Sequence, residues 1–370
     1  MYDALFRPAR LGPLSLSNRV VMAPMTRAAS PGGVPGADVA AYYRRRAEGG
    51  TGLIITEGTW IPHPTAANDP GVPDFHGAGL EGWRAVLREV HAAGAKLIPQ
   101  LWHIGVAPKS EVPEIYSERP DVRDLPVGPS GLSGPGVTGG RAMTRRDIDE
   151  ISEAYVRAAV SAHEAGFDGV EVHGAHGYLV DQFFWEGTNQ RDDAYGGSLE
   201  RRARFAVDIV KAIRAATAPD FPILLRFSQW KLQDYTARPW PTPQALETFL
   251  GLFVDAGVDI FDCSQRYFWT PEFDGSDLNL AGWTRKLAGL PTISVGSVTL
   301  EHDFMEALVQ GVPGSVSGLR DLIERMERDE FDLIAVGRAL IANADWADKL
   351  RAGRVSDLVP FSRAMLAQLD

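Results

Sequence analysis

Asp147-Ile-Asp-Glu-Ile-Ser-Glu-Ala-Tyr-Val-Arg-Ala-Ala-Val-Ser-Ala-His-Glu-Ala165, followed by Gly166-Phe-Asp-Gly169-Val-Glu-Val-His173, is a helical pattern that passes through a glycine into a short apolar run. The helical part repeats its apolar residues at three- and four-residue intervals, as a helix with one buried face does. Thr144 with Asp147 forms a capping-box variant at its start, and Gly166 stands where a left-handed C-cap falls. The run at 169–173 is too short for a helix and reads as a strand buried on both faces.

The same unit recurs on both sides. Strands are predicted at 20–25, 52–57, 96–102, 169–173, 222–227, 260–264, 291–295 and 332–336. Helices are predicted at 38–48, 80–93, 147–165, 199–216, 243–256, 280–287, 319–328 and 346–350. Gly49, Gly94, Gly166 and Gly257 stand as helix C-caps. Eight such units in succession predict an α/β protein, a (β/α)8 TIM barrel, with residues 1–370 as one domain. A doubly wound open sheet is the competing layout, and the count of eight favours closure. Leu11-Gly-Pro-Leu-Ser-Leu-Ser-Asn18 reads as an N-terminal hairpin lid over the barrel's bottom. Long loops follow strands 3, 5 and 6 (104–143, 228–242 and 265–279), on the face where barrels of this kind build their sites.

Composition narrows the chemistry. With 370 residues, 45% hydrophobic and 23% charged, the chain matches a soluble globular protein. A formal net charge of −11 disfavours nucleic acid as a partner, because phosphate binding needs a basic face. Cys263 is the single cysteine, which excludes internal disulfides and cysteine-ligated zinc or iron–sulfur centres within these residues. No basic-then-apolar leader is visible and no apolar run is long enough to span a bilayer, so the expected location is cytoplasmic, with no membrane partner.

The strand ends carry the polar residues. Strand 4 delivers His173, His176 and Tyr178, three hydrogen-bond donors packed into one turn, suited to holding and protonating a carbonyl compound. His-x-x-His is also a metal spacing, but only Glu171 stands near as a further ligand, and no metal is expected. Gly296 and Gly337 end strands 7 and 8, and Arg338 follows; together they suit a phosphate cradle, or simply strand ends and a helix start. Arg226, at the end of a buried strand, needs a counter-charge: a salt bridge to Glu57 or Asp262, or an anionic cofactor. A Schiff-base aldolase would want a lysine at a strand's C-terminal end, whereas Lys96 starts its strand and Lys231 reads as loop.

Several motifs in order then resemble the old yellow enzyme family of FMN-dependent ene-reductases. They include Asn18-Arg-Val-Val-Met-Ala-Pro-Met-Thr-Arg27, Leu53-Ile-Ile-Thr-Glu-Gly-Thr59, Pro99-Gln-Leu-Trp-His103, His173-Gly-Ala-His-Gly-Tyr-Leu179, Asn189-Gln-Arg-Asp-Asp-Ala-Tyr-Gly-Gly-Ser198 and Val336-Gly-Arg338. The resemblance runs from about residue 4 to about residue 350. It implies non-covalent FMN held by Pro24, Met25, Thr26, Gly58, Gln100, Arg226, Gly296, Gly337 and Arg338. It implies substrate binding by His173, His176, Tyr178, Trp102 and Thr26, with Tyr178 as proton donor. NADPH or NADH would be the reductant in a ping-pong reduction of the C=C bond of an α,β-unsaturated carbonyl compound, by a monomer or homodimer. The chain departs from common family patterns: His176 stands where many members have Asn, Thr26 where one branch has Cys, and Val106 where an Arg is frequent. Trp230, Tyr235 and Trp240 after strand 5, and Tyr267, Phe268 and Trp269 after strand 6, mark a mouth that either packs on itself or contacts substrate.

Overall fold

A computed structural model describes residues 2–107, 126–302 and 316–370. Eight parallel strands close into a barrel. They are β1 (Val20–Met22), β2 (Leu53–Trp60), β3 (Lys96–Trp102), β4 (Val170–His176), β5 (Ile223–Lys231), β6 (Ile260–Ser264), β7 (Thr292–Val295) and β8 (Leu333–Val336). β8 pairs with β1 through Ile334–Val20, Ala335–Val21 and Val336–Met22, which completes the ring. The helices that pack outside are α1 (Ala37–Glu48), α2 (Gly77–Ala92), α3 (Arg145–Ala165), α4 (Leu199–Ala216), α5 (Pro243–Ala256), α6 (Leu280–Ala288), α7 (Leu319–Glu327) and α8 (Trp346–Arg351). The open-sheet alternative is thereby set aside.

Side chains alternate across a strand, so every second residue enters the barrel. Ile98, Leu224, Ile260, Ile293 and Leu333 form one buried cluster with Leu53 and Val21. Ala9, Leu11, Leu14 and Leu16 join the same cluster from an antiparallel hairpin (Ala9–Leu11 with Leu14–Leu16). The hairpin is therefore an apolar plug for the barrel's N-terminal end, slightly earlier in the chain than the sequence placed it. A second, larger cluster fills the layer between strands and helices, around Trp83, Tyr155, Phe183, Phe205, Phe249 and Trp346.

The strand positions match their sequence-based placement; β1 stops at Met22, short of the predicted 25, and irregularities extend β2 and β4. β4 runs on to His176 through a shift between Gly174 and His176, which realigns His176 with Lys231 of β5. β2 gains residues through a similar shift between Ile55 and Gly58. Lys231 is consequently the last residue of β5, not part of a loop. It is fully buried, with Nζ 2.7 Å from Asp181 Oδ1 and 2.8 Å from the Ser228 carbonyl. α3 has the anticipated capping box, with Asp147 in the Glu position. Gly166 and Gly257 are left-handed caps, at φ 88° and 99°. Gly49 is not: its φ is −77°, and the left-handed residue is Gly50 at 90°. Gly49 is needed for space instead, because a Cβ there would lie 2.2 Å from the Ala344 carbonyl oxygen.

Of the long loop after β3, only residues 104–107 and 126–143 are described; the latter contain short ladders at Val127–Gly128 with Arg141–Ala142 and Leu132–Gly134 with Val137–Thr138. Among the described residues, no helix is long and apolar enough to cross a membrane.

The Lys231–Asp181 pair links the end of β5 to the short helix Leu179–Phe184, and Asp181 also accepts from the Gly177 amide at 2.7 Å. Removing one partner strands a buried charge. Lys231→Met is expected to lower unfolding free energy by about 3–5 kcal/mol. The double variant Lys231→Met with Asp181→Leu should recover most of that loss. Urea denaturation midpoints measure both, and equal losses in the two variants would contradict the account.

Candidate active site

The site grows out of the same alternation that builds the plug. Two residues beyond Ile98, Leu224 and Ile260 the next inward positions are Gln100, Arg226 and Asp262, and Glu171 of β4 lies in register with Gln100. One step higher come Trp102, His173, Ser228 and Ser264. An apolar floor is thus followed by a polar layer and then by the barrel's mouth.

The polar layer spans four strands in two hydrogen-bonded pairs. Gln100 Nε2 donates to Glu171 Oε1 at 2.8 Å, and Arg226 Nη1 donates to Asp262 Oδ2. Of the two counter-ions foreseen for Arg226, Asp262 is the one present. Arg226 Nε, Glu171 Oε2 and Asp262 Oδ1 are buried with no partner within the protein. Burial pushes the Glu171 carboxyl well above the usual range, and the neighbouring Asp262 charge adds to it. Glu57, the other candidate, serves the loop after β1. Its Oε2 accepts from the Arg27 and Ala28 amides at 2.9 and 3.1 Å, and burial raises its pKa to about 7. Those bonds hold the segment that carries Pro24, Met25 and the exposed Thr26.

At the mouth, His173 and Tyr178 meet edge to face at 5.1 Å, and Trp102 lies edge-on to Tyr178 at 4.8 Å. Trp60 stacks on Trp102 at 4.2 Å. A Cβ at Gly58 would fall 2.4 Å from the Trp102 ring, so Gly58 is what admits that ring against β2. His173 Nδ1 accepts from the Ala175 amide at 3.4 Å, which leaves the hydrogen on Nε2 in the neutral ring.

His176 is held more tightly. Its φ is +66°, uncommon for a residue with a Cβ, and three contacts fix it there. Its amide donates to Ser228 Oγ at 3.0 Å, its Nε2 lies 2.7 Å from Ser264 Oγ, and its ring stacks on Trp230 at 4.5 Å. Trp230 Nε1 in turn donates to the Ser264 carbonyl at 3.2 Å. If the Ser264 hydroxyl donates to Nε2, the remaining hydrogen of His176 sits on Nδ1. Burial, followed by the Arg226 charge, depresses His173 well below the usual imidazole range. Burial, then the neighbouring His173 ring and the Arg226 and Lys231 charges, do the same to His176.

Beyond β7 and β8 lie Gly296, Gly337 and Arg338. Gly296 has φ 153°, and a Cβ on it would lie 2.6 Å from the Gln265 carbonyl oxygen, so the chain after β6 passes directly over it. At Gly337 the nearest atom to such a Cβ is Met25 Sδ at 3.5 Å, ordinary contact that leaves the backbone approachable. Arg338 Nη2 donates to the His302 carbonyl at 2.9 Å and to Ser297 Oγ at 3.3 Å.

The structure therefore brings His173, His176, Tyr178 and Trp102 together, and sets Gln100 and Arg226 in the layer below. Sequence reading missed four contributors: Ser264, the Trp230 stack, the Glu57 anchor and the paired role of Glu171 and Asp262. Alternation could have found one of these, since Glu171 is two residues before His173 and must share its face. The Trp230 stack depends on the extended end of β5, which carries no sequence signal. Cys263 is a buried apolar contact. Phe268 is fully buried, while Trp269 packs only partly.

Comparison with known proteins places these features in a family. Residues 4–313 match the model of the NADH:flavin oxidoreductase / NADH oxidase family. The chain is 41% identical over 362 residues to 12-oxophytodienoate reductase 7 of Oryza sativa subsp. japonica, covering 94% of this chain and 87% of that protein. It is 33% identical over 367 residues to an NADH oxidase of Thermoanaerobacter brockii; this covers 96% of the chain but 52% of the relative, so the chain spans about half of that protein's length. Among solved structures, morphinone reductase in complex with tetrahydroNAD superposes with a TM-score of 0.78 at 31% identity, covering 98% of this chain and 93% of that one.

The depressed imidazoles yield a signed prediction. A histidine neutral in the fold but protonated when unfolded leaves stability intact above the ordinary value of 6.5 and removes it as pH falls below. Relative to a His173→Asn/His176→Asn variant, the wild type should lose up to roughly 3 kcal/mol per pH unit on acidification below about pH 6.5. Parallel urea titrations of both proteins measure the difference; a gap that stays constant with pH would mean that the rings protonate freely in the fold.

Proposed function

Because the chain belongs to the NADH:flavin oxidoreductase / NADH oxidase family, we propose that it is an FMN-dependent ene-reductase. It would reduce the C=C bond of α,β-unsaturated carbonyl compounds with NADH or NADPH, residues 1–370 acting as one barrel domain. The observation that carries the reading is the buried Arg226, whose Nε has no partner within the protein although its Nη1 donates to Asp262 Oδ2. A buried donor left unmet is costly, and a ligand that accepts from it removes the cost.

The residues present fit FMN. Gln100 and Arg226 offer an acceptor and a donor at the head of the polar layer, and Gly58 with Pro24, Met25 and Thr26 borders the same mouth. Gly337 leaves its backbone open, and Arg338 with Gly296 would receive the phosphate. When bound, FMN supplies the hydride chemistry, accepting from the nicotinamide and donating to the alkene in two half-reactions at one site.

The chain's own side chains account for the rest. His173 Nε2–H, and His176 through the nitrogen that Ser264 leaves free, would hold the substrate's carbonyl oxygen and draw charge onto it. Their depressed basicity keeps both rings neutral, so they act as hydrogen-bond donors rather than as cations. Tyr178 O–H, fixed by the edge contacts to Trp102 and His173, would deliver a proton to the carbon beside the carbonyl. The buried Trp60–Trp102 stack would wall one side of the pocket, keep water from the site and strengthen each of these bonds. Trp230, seated on His176, would narrow the other side and select among substrates.

The purified protein should be yellow and release FMN on denaturation. NADH or NADPH should bleach it and cyclohexenone restore it. His173→Ala with His176→Ala is expected to weaken enone binding strongly while FMN stays bound. Tyr178→Phe should slow reoxidation by the enone about 100-fold, within the range of general-acid contributions, and leave bleaching by the nicotinamide unchanged. A colourless protein that cannot be reconstituted with FMN would refute the reading.

A further inference from the structure

The polar layer holds two buried carboxyl groups and one guanidinium that pairs with only one of them. We propose that Glu171 is a positioning residue that carries a proton on Oε2 and donates it to Asp262 Oδ1. This fixes the direction of a hydrogen-bond chain running from Gln100 to Glu171 to Asp262, with Arg226 closing it from the other end.

Three bonds would link the four side chains of this layer, and two are present. Gln100 Nε2 donates to Glu171 Oε1, and Arg226 Nη1 donates to Asp262 Oδ2. The two oxygens left over, Glu171 Oε2 and Asp262 Oδ1, are both buried and both without a partner. The Glu171 and Asp262 side chains lie within hydrogen-bonding reach of each other, so a single proton between them satisfies both, whereas two carboxylates would meet with no donor. The layer has no second cation to offer. Below it is the apolar plug. Above it His173 is neutral, and Lys231 is committed to Asp181. Asp262, touching Arg226, keeps the negative charge, and Glu171 keeps the proton. Burial favours the protonated form of both acids, and the Arg226 contact opposes that for Asp262. The four groups then sum to zero charge.

The direction of the chain has a consequence at the mouth. Gln100 commits an Nε2 hydrogen to Glu171 and so turns its Oε1, an acceptor, away from Glu171. Arg226 keeps a free donor in Nε. The layer therefore offers Gln100 Oε1 as the acceptor for a ligand edge that carries an N–H, as the pyrimidine ring of FMN does; this last step rests on the proposed cofactor.

Glu171→Gln retains a donor toward Asp262 and an acceptor toward Gln100. It should leave the flavin absorption spectrum unchanged and FMN affinity within about twofold of wild type. Glu171→Leu keeps the bulk and breaks both bonds, and should weaken FMN by about tenfold or more. Infrared spectra of the whole protein at neutral pH, with and without added FMN, should show the carbonyl stretch of a protonated carboxylic acid that Glu171→Gln lacks. Absence of that band, or a loss of FMN affinity in Glu171→Gln as large as in Glu171→Leu, overturns the inference. If no variant binds FMN, the cofactor reading fails, and the infrared band still decides whether Glu171 holds the proton.

Discussion

Period-two alternation inside a closed ring is the constraint on which this molecule depends. Once Ile98, Leu224, Ile260, Ile293 and Leu333 are committed to the barrel's floor, the residues two positions on have nowhere to go but the layer above. Gln100, Arg226 and Asp262 are therefore buried not by their own preference but by that of the apolar residues beneath them. The hairpin at 9–16 completes the arrangement by closing the floor against water. A register slip of one residue would turn the polar layer outward and the plug inside out, so the apolar floor and the site are specified together.

Burying so many polar groups carries a cost that the structure meets in three ways. Arg226 with Asp262 and Lys231 with Asp181 are ion pairs with hydrogen-bonded partners. Glu57 is satisfied by two backbone amides of the loop after β1. His103, whose burial lowers its pKa, is neutral between Thr65 and the Gly105 amide. Some buried polar atoms remain unmet. Within the polar layer they are Arg226 Nε, Glu171 Oε2 and Asp262 Oδ1. Buried polar groups are nearly always paired, and these three are the ones that the proposed proton and cofactor would serve.

The turn that follows β4 shows how tertiary contacts shape chemistry. His-Gly-Ala-His-Gly-Tyr spaces three donors closely, but spacing alone does not orient them. The +66° φ of His176, its stack on Trp230 and its bond to Ser264 come from β5 and β6, which lie 50 or more residues later. Those contacts commit the His176 Nε2 nitrogen to Ser264.

The sequence by itself determined the eight strand centres, most helix limits, the plug and the set of polar residues at strand ends, because short apolar runs and helical periodicity are local signals. It also identified Arg226 as needing a counter-charge, and offered Glu57 and Asp262 without choosing between them. Only the tertiary structure made that choice, because β5 and β6 are hydrogen-bonded neighbours that place Arg226 opposite Asp262, while Glu57 lies across the ring beside the loop it anchors. The same holds for Lys231, which looked like loop and proved to be a buried strand end, and for Gly49, whose role is to make room for the Ala344 carbonyl. In each case the deciding partner is distant in the chain, and a partner's position is information that propensity and periodicity do not carry.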